Sequence, residues 1–257
     1  MRAPIWTRPA FDAPGRRQTW ELVCCAWGPL DLSRGSPSDL VGWAPLDAMP
    51  RSVSLEVEPA PWDAPWGDLV RDTRWTTDVL ANALGRKLGE TTSTLHVRVD
   101  APDGPDLTAL QSAWALARWL LDLGAFAVLD RAAMRWWSRE DVMGWGEHRP
   151  LVVPREVTEA IFTNPAWDVY LTRGMVKFGR PDLLMMLPNA DDPLLDGLRK
   201  LIRVATHSMA RGATLRPGDR VTNGFDTADV FAYRPGVVDL GFPLDPGTLV
   251  LASPPPD

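Results

Sequence analysis

The sequence predicts an α+β protein in which an antiparallel or mixed sheet carries two long helices on one face. Two patterns in the 257 residues indicate this class. Several short segments alternate between apolar and polar side chains, as strands with one buried face do. Two longer segments place apolar side chains three or four residues apart, as helices that pack on a sheet do.

Three strands and a helix are predicted ahead of the strongest helical pattern. Residues 21–27 form an apolar run typical of a buried strand, and residues 52–58 and 93–100 alternate between apolar and polar side chains. Thr76 or Thr77 can cap a helix that lies between the last two of these strands.

Asp106 can cap the helix that is predicted over residues 106–123, in which apolar side chains follow a single face. Gly124 marks its end, because glycine readily takes the left-handed conformation that closes many helices. The apolar residues 125–129 predict a strand. Together with strand 93–100, these elements form a β-α-β unit.

Two short helical segments are predicted after this unit. Ser138 and Asp141 have the spacing of a capping box, which predicts a helix that ends near Trp145. Residues 156–162 are interpreted as a further helical turn.

The second half begins with two predicted strands, 167–172 and 175–178, which are joined by a tight turn at Arg173 and Gly174. Glycine supplies the positive φ that such a turn requires without the clash of a Cβ atom. The apolar segment 183–187 follows the second strand.

The second long helix is predicted to begin at Asp192-Pro193 and to stop at Gly212, with Leu198 and Ile202 on its buried face. Turn residues then separate short extended segments. The last predicted strands are 220–222, 230–233 and 248–251.

These elements predict a single α+β domain over residues 52–252. Residues 1–51 are interpreted as a proline-rich N-terminal extension with one buried strand, and residues 253–257 as a disordered tail. Because each long helix has strands before and after it, the domain is compatible with a degenerate ferredoxin-like repeat. No residue-level identity between the halves supports a repeat, so this alternative stays open.

Composition and charge narrow the classes of function. The net charge of -6 argues against a protein that neutralises nucleic-acid phosphates. No apolar run approaches the roughly 20 residues that span a bilayer, and no apolar leader segment opens the chain, so a cytoplasmic protein without a membrane partner is predicted. Cys24 and Cys25 are interpreted as core side chains in a reducing compartment. The oligomeric state stays open.

No sequence pattern for catalysis, cofactor binding or metal binding is present. The chain lacks glycine-rich phosphate loops, the G-x-S-x-G motif and the H-E-x-x-H motif. His96, His148 and His207 are scattered along the chain and are interpreted as surface residues. The sequence predicts no catalytic residue, metal or cofactor, although groups that are distant in sequence can still assemble an active site.

Two sets of side chains are candidates for binding. The first set consists of charged residues at two loops, which either hold a carboxylate or phosphate or form a solvated rim with internal ion pairs. The second set is a pair of adjacent tryptophans, which either form an interface patch or fill the core. The candidates are Arg173, Lys177, Arg180, Asp182, Asp219 and Arg220 in the first set, and Trp136 and Trp137 in the second.

The segment 170–182 reads Tyr-Leu-Thr-Arg-Gly-Met-Val-Lys-Phe-Gly-Arg-Pro-Asp and resembles bacterial proteins grouped as a domain of unknown function, most nearly the one numbered 4261. The helix that contains Trp114 and the strand 125–130 after it are similar to the family's long helix and following strand. The segment 212–219 is similar to the family's stretch before a closing strand. The resemblance covers about residues 52–235 and implies no catalytic residue, ligand or reaction.

The leading hypothesis is a non-enzymatic binding or accessory protein with a protein-binding face. It is based on the lack of catalytic motifs and on the unusual number of tryptophans, 13 compared with two tyrosines. One alternative is an enzyme or sensor that binds a small anionic ligand through Arg173, Lys177, Arg180 and Asp219. Another alternative is an immunity-type protein that neutralises a partner.

Overall fold

A computed structural model describes the chain in two compact units. The first unit comprises Met1–Thr7 and Arg17–Leu151, and the second comprises Arg8–Arg16 and Val152–Asp257. The described residues are 4–34, 43–44, 54–60, 91–145, 151–164, 167–187, 195–234, 244 and 247–252.

Within the described residues, the first unit contains a five-stranded antiparallel sheet and one long helix. Its described elements are β1 Gln18–Ala26, β2 Ser54–Ala60, β3 Ser93–Ala101, α1 Thr108–Asp122, β4 Ala127–Asp130, β5 Arg135–Ser138 and α2 Arg139–Met143. The strand order is β2-β3-β1-β4-β5. Because β3 and β4 are both antiparallel to β1, they run parallel to each other on either side of it. Helix α1 therefore connects two strands that are separated by β1.

Helix α1 packs on β3 and β1 through an apolar face that includes the buried residues Leu110 and Leu121. The Asp106 carboxylate accepts a hydrogen bond from the backbone N–H of Thr108 at 3.0 Å. After the helix, Gly124 takes a φ of +121°. Gly124 therefore closes the helix where the sequence predicts it, whereas the N-cap position is taken by Leu107 and Asp106 lies one residue before it.

The second unit contains a six-stranded mixed sheet and the other long helix. Its described elements are α3 Val153–Glu156, β6 Thr158–Asn164, β7 Trp167–Arg173, a 3₁₀ helix Met175–Phe178, β8 Leu183–Leu187, α4 Leu195–Ala210, β9 Arg220–Thr222, β10 Thr227–Ala232 and β11 Leu249–Ala252. The strand order is β6-β7-β8-β11-β10-β9, with β8 and β11 parallel and the other pairs antiparallel.

Helix α4 packs on β8 and β9 and covers one face of this sheet. Leu201 and Ile202 are buried under it, as the apolar spacing predicts. The opposite face of the sheet contains a second apolar cluster. Its buried members are Val169, Leu171 and Leu184, against which Leu244 and Val250 pack.

The segment Arg8–Arg16 is attached to the second unit by backbone hydrogen bonds. The N–H of Ala10 donates to the carbonyl of Arg211 and the N–H of Arg16 donates to the carbonyl of Gly179, both at 2.9 Å. The chain passes so close to Gly212 that a Cβ atom there would lie 2.4 Å from the Cα of Phe11. Gly212 therefore ends α4 and also makes room for this segment.

The α+β class is confirmed, and the capping box at Ser138 and Asp141 is present. The arrangement of strands differs from the sequence analysis, which expected one sheet over residues 52–252. The structure has two sheets, and β1 from the expected extension 1–51 lies at the centre of the first. Which strands pair depends on contacts between distant residues, and such contacts leave no signature in local periodicity.

Two local predictions are wrong. Residues 156–162 are not a helical turn, because α3 ends at Glu156 and the following segment, which includes the β-branched Thr158 and Ile161, pairs with β7 as strand β6. Residues 175–178 are a 3₁₀ helix rather than a strand. Gly174 and Gly179, with φ of +111° and +63°, turn the chain at both ends of this segment.

Some predictions lie outside the described residues. These are the helix after Thr76 or Thr77, the helix start at Asp192-Pro193, His148, and the tail 253–257. Within the described ranges, no helix is both long and apolar enough to cross a membrane.

Candidate functional site

The segment that carries the family resemblance folds as a closed loop in the second unit. The Asp182 carboxylate accepts a hydrogen bond from the backbone N–H of Met175 at 3.1 Å, so it ties the start of the 3₁₀ helix to the start of β8. The hydroxyl oxygen of Thr172 accepts from the N–H of Leu183 at 2.8 Å. These contacts assign a structural role to Thr172 and Asp182.

Two of the cations in this loop point into the protein. The side chains of Lys177 and Glu156 are fully buried, and the Lys177 Nζ lies 3.0 Å from Glu156 Oε2. Arg180 is also buried and donates to the carbonyls of Gly212 at 2.6 Å and Ala213 at 2.9 Å. Neither side chain presents its charge to a ligand in solution, so the anion site predicted at this loop lacks two of its members.

The remaining charged candidates lie at the surface or at its edge. Arg173 is partly buried at the end of β7. Asp219 accepts a hydrogen bond from the backbone N–H of Arg216 at 2.7 Å and so closes the turn before β9. The exposed Arg220 donates to Asp229 at 2.8 Å, a bond that raises the pKa of Arg220.

The adjacent tryptophans are part of a packed cluster in the first unit. Trp136 is only 4% exposed. The ring of Trp137 packs edge-to-face on Trp114, with 6.5 Å between centroids, and on Trp145, with 5.1 Å. The guanidinium of Arg135 lies 4.8 Å from the centroid of the same ring. Trp136 is therefore a core side chain, and Trp137 is partly buried and packs within the same aromatic cluster.

A second charged cluster surrounds Glu21 on the sheet of the first unit. The sequence analysis placed His96 at the surface, but it is 6% exposed and its Nδ1 lies 3.1 Å from Glu21 Oε2. Arg131 and Arg98 also approach this carboxylate. Burial raises the pKa of Glu21, but hydrogen bonds from His96 and Arg131 outweigh it and bring the pKa to about 2. The Glu21 carboxylate therefore links β1 to β3 and to the residue that follows β4.

The two cysteines are buried in the central strand of the same sheet. Burial raises the pKa of both thiols, so neither forms a reactive thiolate near neutral pH. Within the described part of the chain, no three His, Cys, Asp or Glu side chains are grouped as metal ligands.

The strongest candidate site is a groove on the face of the second sheet that α4 does not cover. In register across the sheet, Leu184 pairs with Val250, and Val250 pairs with Phe231. The groove has a volume of about 700 Å³, within the usual range for ligand pockets. Its described lining residues are Leu184, Met186, Pro217, Gly218, Arg220, Asp229, Val230, Phe231, Ala232, Tyr233, Arg234 and Val250.

Apolar side chains in this groove are accessible to solvent. Met186 on β8 is 41% exposed and Phe231 on β10 is 51% exposed. Arg220, Asp229 and Arg234 add charge beside them. An apolar surface with a charged border is typical of a binding site.

Sequence reasoning found Arg220 but missed the groove itself. Residues 183–187 are all apolar, so nothing in that segment distinguishes Met186 from its buried neighbours Leu184 and Met185. The strand containing Phe231 was predicted, and its alternation could have placed Asp229 and Phe231 on one face. That this face remains partly uncovered depends on the tertiary structure.

Comparisons with family models, with curated proteins and with solved structures find no match for this chain. The resemblance carried by segment 170–182 therefore stays a prediction.

Proposed function

We propose that the protein is a non-enzymatic binding protein that holds a segment of a partner protein in the groove of its second unit. The observation that carries this proposal is the exposure of Met186 and Phe231 beside a charged border. Covering a side chain of this size stabilises a complex by about 1–2 kcal/mol, because it is already half buried. Met186 and Phe231 lie on the same face of the sheet with β11 between their strands, so they offer a partner two apolar anchor points.

The chemistry of the groove supports binding rather than catalysis. Its described lining residues include no histidine, cysteine or serine. The one carboxylate among them, that of Asp229, accepts a hydrogen bond from Arg220. A nucleophile paired with a base, the usual basis of covalent catalysis, is therefore missing from this part of the chain.

A photocrosslinking experiment tests the proposal. p-Benzoylphenylalanine replaces Phe231 in the groove or, as the control, Phe225, which is 98% exposed at the turn between β9 and β10. After illumination in lysate of the source cells, we expect a discrete adduct from position 231 and none of that mass from position 225. Adding Met186→Ser to the position 231 variant should weaken the adduct. Equal crosslinking at both positions, or none at 231, would contradict the proposal.

A further inference from the structure

We infer that the partner segment carries a carboxylate next to its apolar side chains and that Arg234 binds this carboxylate. The inference rests on the proposed function, because it specifies what the groove selects. It is based on the charges of the described lining residues and on two side chains, those of Tyr233 and Arg234, whose polar groups make no hydrogen bond with the described residues.

The charged residues among the described lining of the groove have one positive charge that is not neutralised within the set. Arg220 and Asp229 neutralise each other across β9 and β10, with 2.8 Å between Arg220 Nε and Asp229 Oδ1. Arg234 is exposed and makes no hydrogen bond or ion pair with any residue in the described ranges. The described lining therefore carries a net charge of about +1 in a chain whose overall net charge is -6.

Tyr233 adds a second donor beside Arg234. Its backbone N–H donates to the carbonyl of Thr248 at 3.1 Å, which attaches this end of β10 to the start of β11. Its hydroxyl makes no hydrogen bond with the described residues, although the side chain lines the groove. A phenol O–H and a guanidinium both donate, and a carboxylate accepts from both.

The position of these donors specifies the partner's pattern. Tyr233 and Arg234 directly follow β10, so they lie at the end of the strand that carries Phe231. A segment whose apolar side chain covers Phe231 places its neighbouring residues near Arg234. An acidic neighbour is attracted there, a neutral one is tolerated, and a basic one is repelled.

The inference can be tested with three fluorescein-labelled hexapeptides that share Leu and Phe residues and differ only in having Glu, Gln or Lys at two positions. Fluorescence polarisation measures their affinity for the full-length protein. We expect the Glu peptide to bind about five-fold more tightly than the Gln peptide, and the Lys peptide to bind most weakly. The difference should shrink as the salt concentration rises.

Three variants separate the inference from the proposed function. Arg234→Gln should remove the preference for Glu over Gln, and the exposed Arg211→Gln, which is not among the groove residues, should leave it unchanged. Phe231→Ser should weaken the binding of all three peptides. If Arg234→Gln keeps the ranking while Phe231→Ser weakens binding, the inference is wrong and the proposed function stands. If no peptide binds, or if Phe231→Ser changes nothing, both are wrong.

Discussion

Each of the two units of this protein places a carboxylate in an ion pair, but the units differ in how far the paired groups are shielded from water. In the first unit, Glu21 is 12% exposed and its partners Arg98 and Arg131 are about half exposed. In the second unit, Lys177 and Glu156 are both fully buried. The same pairing of charges is therefore screened by solvent in one unit and not in the other.

This difference in solvent exposure changes how much each set of charges contributes to stability. A partly exposed cluster can exchange protein contacts for water, so losing one member costs little. A fully buried pair cannot exchange its contacts for water, so each charge is stabilised by the other and removing one of them is costly. The buried charged side chains Lys177 and Glu156 are thus part of the architecture of the second unit, and neither is among the described residues that line the proposed groove.

The largest expected effect comes from breaking the buried pair. Lys177→Met removes the ammonium that lies 3.0 Å from the buried Glu156 carboxylate, which should lower the free energy of unfolding by about 3–5 kcal/mol. Arg131→Met in the first unit should lower it by only about 1 kcal/mol or less. Urea denaturation followed by circular dichroism measures both.

A second variant removes both buried charges at once. Lys177→Met combined with Glu156→Leu should recover most of the lost stability, since both members of the buried ion pair are then replaced by apolar side chains. If the double variant is as unstable as Lys177→Met alone, the loss comes from packing rather than from charge.

A smaller effect is expected from the turn that carries Lys177. Gly174→Val forces a β-branched residue to a φ of +111° and should lower the free energy of unfolding by about 1–3 kcal/mol. Gly104→Val in the first unit is the control, because a Cβ there meets nothing within 4 Å. We expect that control to change stability by no more than about 0.5 kcal/mol. Similar thermal unfolding temperatures for the two variants would show that this turn tolerates a side chain.

The smallest expected effect is the pH dependence of the stability that the Glu21 cluster contributes. The pKa of Glu21 is about 2 in the folded protein and near 4.5 when unperturbed. A carboxylate with a lowered pKa stabilises the folded state above the unperturbed value, and this contribution is lost as the pH falls from about 4.5 to 2. Because Arg98 and Arg131 are half exposed, we expect the contribution to be about 1 kcal/mol.

Urea titrations of the wild type and of Glu21→Gln between pH 6 and pH 2 measure this contribution. The stability difference between the two proteins should narrow toward the acidic end of the series. A difference that stays constant over that range would rule out the ionisation of Glu21 as its cause.

Local patterns predicted the elements whose signals lie within a few residues. Helix α1 begins after Asp106 and ends before Gly124, and the capping box of α2 forms between Ser138 and Asp141. Such signals are reliable because both bonding groups belong to one short segment. The 3₁₀ helix was missed because Met175–Phe178 has the composition of a strand, while Asp182, seven residues after Met175, holds it in another conformation.

The candidate site was less accessible to sequence reasoning. The sequence identified Lys177 and Arg180 as cations at a loop, but their burial depends on Glu156 and on the carbonyls after α4. The sequence also made Trp136 a candidate for an interface, and the fold buries it. In each case the sequence shows the residue type but not the surroundings of the side chain, because the residues that contact it are distant in sequence.

By itself, the sequence determined the α+β class, the long helices and most strand positions, since periodicity and turn residues report which side chains must be covered. The tertiary structure alone decided the central position of β1, the buried charges of the second unit and the exposure of Met186 and Phe231. The physical reason is that periodicity specifies an apolar face but not what covers it. The cover depends on which distant segments pair and pack, and in this protein that choice separates the buried Leu184 from the exposed Met186 two residues later.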